Sequence, residues 1–158
     1  AKWPREIDAG TSFKPVVHHN DIFQTIAAAG KADIPKDRKL DGFNFLPFVK
    51  GEKNGKIHQT IFWRQGHQQT VLNNGWKLIR TNNENQKWLF NLNEDPTEKN
   101  NLVKNYPDKV DFLDSLLDDH NSEQMESMWP SVVNSPILID KHFGDDYEEG
   151  DEYNYCPN

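Results

Sequence analysis

Between residues 58 and 93 the chain alternates apolar and polar side chains with the two-residue period of an extended backbone. HQTIFWRQ (58–65) is followed by a turn at Gly66 and by QQTVL (68–72). GWKLIRT (75–81) sets Trp76 and Leu78 against Lys77 and Ile79. After the polar NNEN, QKWLFNLN (86–93) places Trp88, Phe90 and Leu92 on one face and Leu89 and Asn91 on the other. Turns this short predict an antiparallel meander of about four strands with one face buried. From Pro107 the spacing changes to that of a helix. Val110, Leu113 and Leu117 form a stripe that Phe112 and Leu116 widen, and it is expected to cover the apolar face of the sheet.

Upstream, NDIFQTIAAAG predicts a short helix over 21–29. Asp21 with Gln24 reads as a capping box, Ile22, Phe23 and Ile26 share a face, three alanines favour helix, and Gly30 follows the end. Residues 1–19 are broken by Pro4, Gly10 and Pro15. A long connection, 31–56, carries Leu40, Phe43, Phe45, Leu46 and Phe48, so it must pack against something. Asp95-Pro96-Thr97-Glu98 reads as a helix start, with Asp95 as cap, Pro96 in the first turn and Glu98 reaching back; as a cap, Asp95 is worth about 1 kcal/mol. After about 121 the chain reads as an irregular tail with aromatics at Trp129, Tyr147, Tyr153 and Tyr155. The fold class is α+β: a short helix and long loop, then the sheet with its C-terminal helix.

Composition adjusts this picture. Only 35% of the 158 residues are hydrophobic, so the core is small for the length. The net charge of −7 is concentrated from Asp140 onward, leaving 17 basic and 18 acidic residues elsewhere. No basic stripe suits a phosphate backbone, which argues against nucleic acid as a partner. The acidic tail reads as a solvated segment, since no loop has the alternating oxygen ligands of a calcium site. Cys156 is the one cysteine, which excludes an internal disulfide and cysteine-based zinc. No apolar run approaches a membrane span. The opening AKWP carries no signal peptide and reads as a cut from something longer.

The motifs PVVHHNDIFQTIAAAG, LDGFNFLPFVKG, IFWRQG, GWKLI and WLFNLNEDPTEKNNL, in this order, resemble the C-terminal part of the formylglycine-dependent sulfatases. The residues that carry the resemblance are Asp21, Thr25, Ala29, Gly30, Leu40, Asp41, Gly42, Leu46, Pro47, Trp76, Lys77, Leu78, Leu89, Phe90, Leu92, Asp95, Pro96, Glu98, Asn101 and Leu102, within a match over roughly residues 3–104. Gln24 stands where proline is common, and Leu72 where an arginine is frequent. The resemblance implies that 1–56 is the last segment of a catalytic domain, 57–120 a C-terminal subdomain and 121–158 an acidic tail. It also implies a parent that hydrolyses sulfate esters with formylglycine and calcium, outside the cytoplasm in the periplasm or extracellular space. The formylglycine motif, Cys or Ser followed by x-Pro-x-Arg, is absent from this sequence, and Cys156 precedes Pro157 and Asn158 instead. No catalytic residue and no metal ligand is therefore assigned to this chain, and its partner would be an N-terminal catalytic domain.

Trp63, Arg64 and His67 are the substrate-side candidates. The resemblance places their turn toward the cleft; an arginine fork suits a sulfate, and a tryptophan can stack on the sugar of a sulfated carbohydrate. The plainer reading makes Trp63 core and Arg64 a surface charge. Lys77 reads as a solvated position and Asp41 as half of an Asp-Gly turn. His18 and His19, adjacent on extended chain, are expected to point apart and not to share a metal. Two other readings of the whole remain open: a stand-alone carbohydrate-binding or interaction module, and part of a related phosphonate or phosphate ester hydrolase. Phe23, Ile26, Phe45 and Phe48 would lack their cover without the rest of the parent, which suggests a homodimer; only monomer in light scattering at high concentration opposes it.

Overall fold

The computed structural model describes residues 1–66, 68–81, 86–126, 128–129, 134–138 and 153–157. The chain forms two compact units, Ala1–Gln59 and Thr60–Asn158.

In the first unit, helix α1 spans Asp21–Ala29. Its cap position is Asn20, not Asp21, and Asn20 makes no side-chain cap bond. Asp21 is instead fully buried in the first turn. At the other end, Lys31 takes the left-handed conformation (φ 52°) that a glycine normally supplies. Lys31 N–H donates to Ala28 O and Ala32 N–H to Ala27 O, a Schellman closure one residue beyond Gly30. The 31–56 connection packs as its apolar content demands, folding into the short helix α2, Leu46–Val49, with Phe13 and Phe45 stacked 6.4 Å apart. Three side chains of α1 hold it. Phe43 N–H donates to Asp21 Oδ1 at 2.8 Å, Gln24 Nε2 donates to Gly42 O, and Phe45 N–H donates to Thr25 Oγ1 at 3.1 Å. The outward face of α1 is left open, with Phe23 56% and Ile26 65% exposed. Phe45 and Phe48 are half-buried.

In the second unit, β1 (Thr60–Gln65), β2 (Gln68–Asn73), β3 (Trp76–Thr81) and β4 (Lys87–Asn91) form one antiparallel sheet in the order β1-β2-β3-β4. The β2–β3 turn has Asn74 and Gly75 both at positive φ, 51° and 85°, as a two-residue hairpin requires. Helix α3, Pro107–Ser122, lays Val110, Leu113 and Leu117 on Val71, Leu78 and Leu89 of the sheet. Leu116 joins this cluster, while Phe112 faces outward at 48% exposure. The expectation of one buried face is corrected: Ile79, Trp88 and Phe90 form a second buried cluster. The consecutive run Trp88-Leu89-Phe90 feeds apolar groups to both sides, as in strands covered twice.

The helix expected from Asp95 does not form. Glu98 sits at φ 58°, outside the helical region. Asp95 accepts from Asn100 N–H at 2.8 Å and from Thr97 Oγ1 at 3.2 Å, closing a polar loop rather than a helical turn. The loop then seals the outer edge of β4: Leu89 N–H donates to Asn101 Oδ1 at 3.1 Å, and Leu102 N–H donates to Leu89 O at 2.8 Å. Helix formation waits for Pro107. The chain after 121, expected to be irregular, includes β5 (Asn134–Leu138) and β6 (Tyr153–Pro157), paired antiparallel as a two-stranded sheet. Short segments with a distant partner give no local period to read.

Candidate functional site

Strand alternation decides how the candidate residues lie. Trp63 pairs with Thr70 and Arg64 with Gln69, so the two side chains project from opposite faces of β1. Trp63 is 39% exposed at this edge of the sheet. His67 lies outside the described residues. The structure thus puts Trp63 and Arg64 beside the Gly66 turn but does not gather them on one surface.

Arg64 belongs to a cross-strand row. The registers set Arg64 opposite Gln69, Gln69 opposite Arg80, and Arg80 opposite Lys87, on the face that α3 covers. Arg80 donates to Gln69 Oε1 at 2.8 Å and to Asp114 Oδ1 at 2.7 Å, and pairs with Asp118 Oδ1 at 2.8 Å. Lys87 Nζ donates to Asp114 Oδ2 at 2.6 Å. Asn121 Nδ2 donates to Gln69 Oε1 at 3.0 Å. Burial opposes the charge on Arg80, but the Asp118 and Asp114 carboxylates outweigh it and hold the guanidinium above its ordinary range. Burial likewise opposes ionisation of Asp114, and the bonds from Lys87 and Arg80 overcome it and lower its pKa. Arg64 differs from its neighbours: Nη2 donates to the backbone carbonyl of Met125 at 2.7 Å, and among the described residues no carboxylate pairs with it. A neutral oxygen orients the fork without cancelling its charge, which leaves Arg64 suited to an anion.

Lys77 is only partly solvated. Its Nζ donates to both oxygens of Glu98 at 2.7 Å, in a half-buried pair. The positive φ of Glu98 aims its carboxylate back at β3, which explains the acid in the Asp-Pro-Thr-Glu loop better than a capping role. Asp41 is exposed, and Gly42 beside it is buried.

The sequence reading missed a cluster in the first unit. Asp21 Oδ2 accepts from His18 N–H and meets His58 Nε2, each at 2.7 Å. His58 is buried to 7% side-chain exposure, and Phe43 packs edge-on to its ring at 5.1 Å. Burial works against the Asp21 charge, and the bonds from His18, His58 and Phe43 outweigh it, holding the carboxyl below its ordinary value. The expectation that His18 and His19 diverge is also corrected: their ring centroids are 4.1 Å apart, because the backbone turns here instead of extending. No local signal ties Asp21 to His58, 37 residues away.

Among the described residues, no group of three or more His, Cys, Asp or Glu side chains converges to hold a metal ion. Nor is any helix among them long and apolar enough to cross a membrane.

The profile of the N-sulphoglucosamine sulphohydrolase C-terminal family matches residues 1–124. Human steryl-sulfatase is 34% identical over 61 residues, 39% of this chain and 10% of that protein. The ulvan-active sulfatase of Formosa agariphila is 22% identical over 137 residues, 87% of this chain and 26% of that protein. A solved structure of a protein in complex with its substrate D-glucosamine-2-N,6-O-disulfate superposes with a TM-score of 0.63 at 18% identity, covering 77% of this chain and 27% of that one, which shows a shared fold. The chain therefore spans about a tenth to a quarter of the length of these proteins.

Proposed function

Because the chain belongs to the N-sulphoglucosamine sulphohydrolase C-terminal family, we propose that it is the C-terminal part of a sulfatase that hydrolyses sulfate esters. The observation that carries this reading is the family match across residues 1–124 of a sequence without a Cys/Ser-x-Pro-x-Arg motif. The nucleophile, formylglycine, and its calcium then belong to polypeptide outside these 158 residues. The open apolar face of α1 supports the same reading, since an N-terminal catalytic domain would cover Phe23 and Ile26. Secretion to the periplasm or extracellular space follows from the same assignment.

The role of this chain is then to border the substrate cleft. Arg64, held by the Met125 carbonyl, binds the anionic part of a sulfated carbohydrate, while Trp63 projects from the opposite face of β1 and is not assigned to the same contact. In the longer protein carrying this chain, Arg64→Ala should raise KM for a sulfated sugar about tenfold or more, the loss of one charge-assisted contact of about 1.5–3 kcal/mol, with kcat nearly unchanged. An unchanged KM would remove Arg64 from the substrate site. The exposed Trp63 and Trp129 favour a second reading, a module that binds sugar by itself. Micromolar binding of an oligosaccharide by this chain alone would support that one.

A further inference from the structure

We propose that His18 is an acid-sensitive latch on the start of α1. The geometry begins with Asn20, the residue at the helix's N-terminal cap, whose N–H donates to His18 Nδ1 at 3.3 Å. That bond requires a lone pair on Nδ1, so the proton of the neutral ring sits on Nε2. A second proton can bind only at Nδ1. It would turn the acceptor into a donor facing another donor, and the Asn20 contact would be lost.

Among the described residues, the charged or titratable groups that act on His18 include His19 beside it, Asp21 on α1, and His58 from the end of the first unit; Phe43 of the 31–56 connection adds an aromatic wall against His58. Asp21 is the one carboxylate among them, and both its oxygens are engaged, Oδ1 by Phe43 N–H and Oδ2 by His18 N–H and His58. A charge on His19, with ring centroids 4.1 Å away, or on His58, at 6.5 Å, opposes one on His18. Burial and His19 lower the pKa of His18, Asp21 works in the other direction, and His58 lowers it further.

The sign follows from linkage. The unfolded chain takes this proton near the ordinary value of 6.5, whereas the folded chain resists it. The stabilisation is therefore complete above about pH 6.5 and is lost as the pH falls from there to the lower value of folded His18. What loosens first is the turn 18–20. The first turn of α1 and the 42–45 segment bound to it follow, because Asp21 holds both through the same carboxylate.

The test uses the 158-residue chain. Histidine titration by NMR should give His18 a midpoint below the ordinary imidazole value. Hydrogen exchange, corrected for its intrinsic pH dependence, should show the amides of Asn20 and Asp21 losing protection between about pH 7.5 and 5. In His18→Gln the amide oxygen keeps an acceptor that does not titrate, so the protection should stay level. Should that variant fail to fold, His19→Gln carries the test, because removing the like charge should raise the His18 midpoint. An ordinary His18 midpoint, a His18→Gln variant with the same acid loss, or no movement in His19→Gln would overturn the proposal.

Discussion

At residue 42 there is no room for a β-carbon. One built there lies 2.1 Å from the backbone oxygen of Asn20 and 2.9 Å from the amide nitrogen of Asp21. Gly42 lets the connection press against the start of α1, where Asp21, Gln24 and Thr25 then bind residues 42–45. Gly42→Ala should destabilise the first unit by about 1–3 kcal/mol, as overpacking does, read as a lower urea midpoint at unchanged slope. Asp21 gives a second prediction. Its carboxyl is held below the ordinary 3.8, so its contribution is complete above that value and is lost as the pH falls through the folded one. Asp21→Asn should remove that part of the acid-unfolding profile and lower stability at neutral pH by about 1–3 kcal/mol, the cost of an unmatched buried group. The sequence marks Asp21 and Gln24 as special, yet assigns them the wrong partners. A capping box is a local pattern, whereas, apart from His18 N–H three residues before Asp21, the observed bond partners lie 18 to 37 residues away.

At the scale of elements, periodicity was a sound guide where packing enforces it. The bounds of α1 and the four strands follow the apolar spacing within two residues, because one-residue slips would turn Val71, Leu78 and Leu89 away from α3. It failed where neither period nor packing decides. Asp95-Pro96-Thr97-Glu98 has the residues of a helix start, but the Lys77–Glu98 pair and the sealing of the β4 edge hold it as a loop. The row Arg64, Gln69, Arg80 and Lys87 was hidden for a related reason, since it exists only once three registers are known. Of the substrate-side candidates, the sequence located the strand end but not the division of Trp63 and Arg64 between faces. The union of sheet and helix rests on Leu113, which is fully buried. Leu113→Ala should cost about 2–5 kcal/mol in chemical unfolding, while Phe112→Ala, at an outward position, should cost clearly less.

For the whole molecule, one family profile spans residues 1–124 and so takes in residues of both units. The chain offers an oriented arginine, exposed tryptophans and an open helix face, and its sequence lacks the nucleophile motif. The central claim is that sulfate-ester cleavage needs polypeptide beyond this chain. The most direct measurement is hydrolysis of an aryl sulfate by the purified 158-residue protein with calcium added. The account predicts no turnover above the uncatalysed background; turnover that persists after repurification would contradict it.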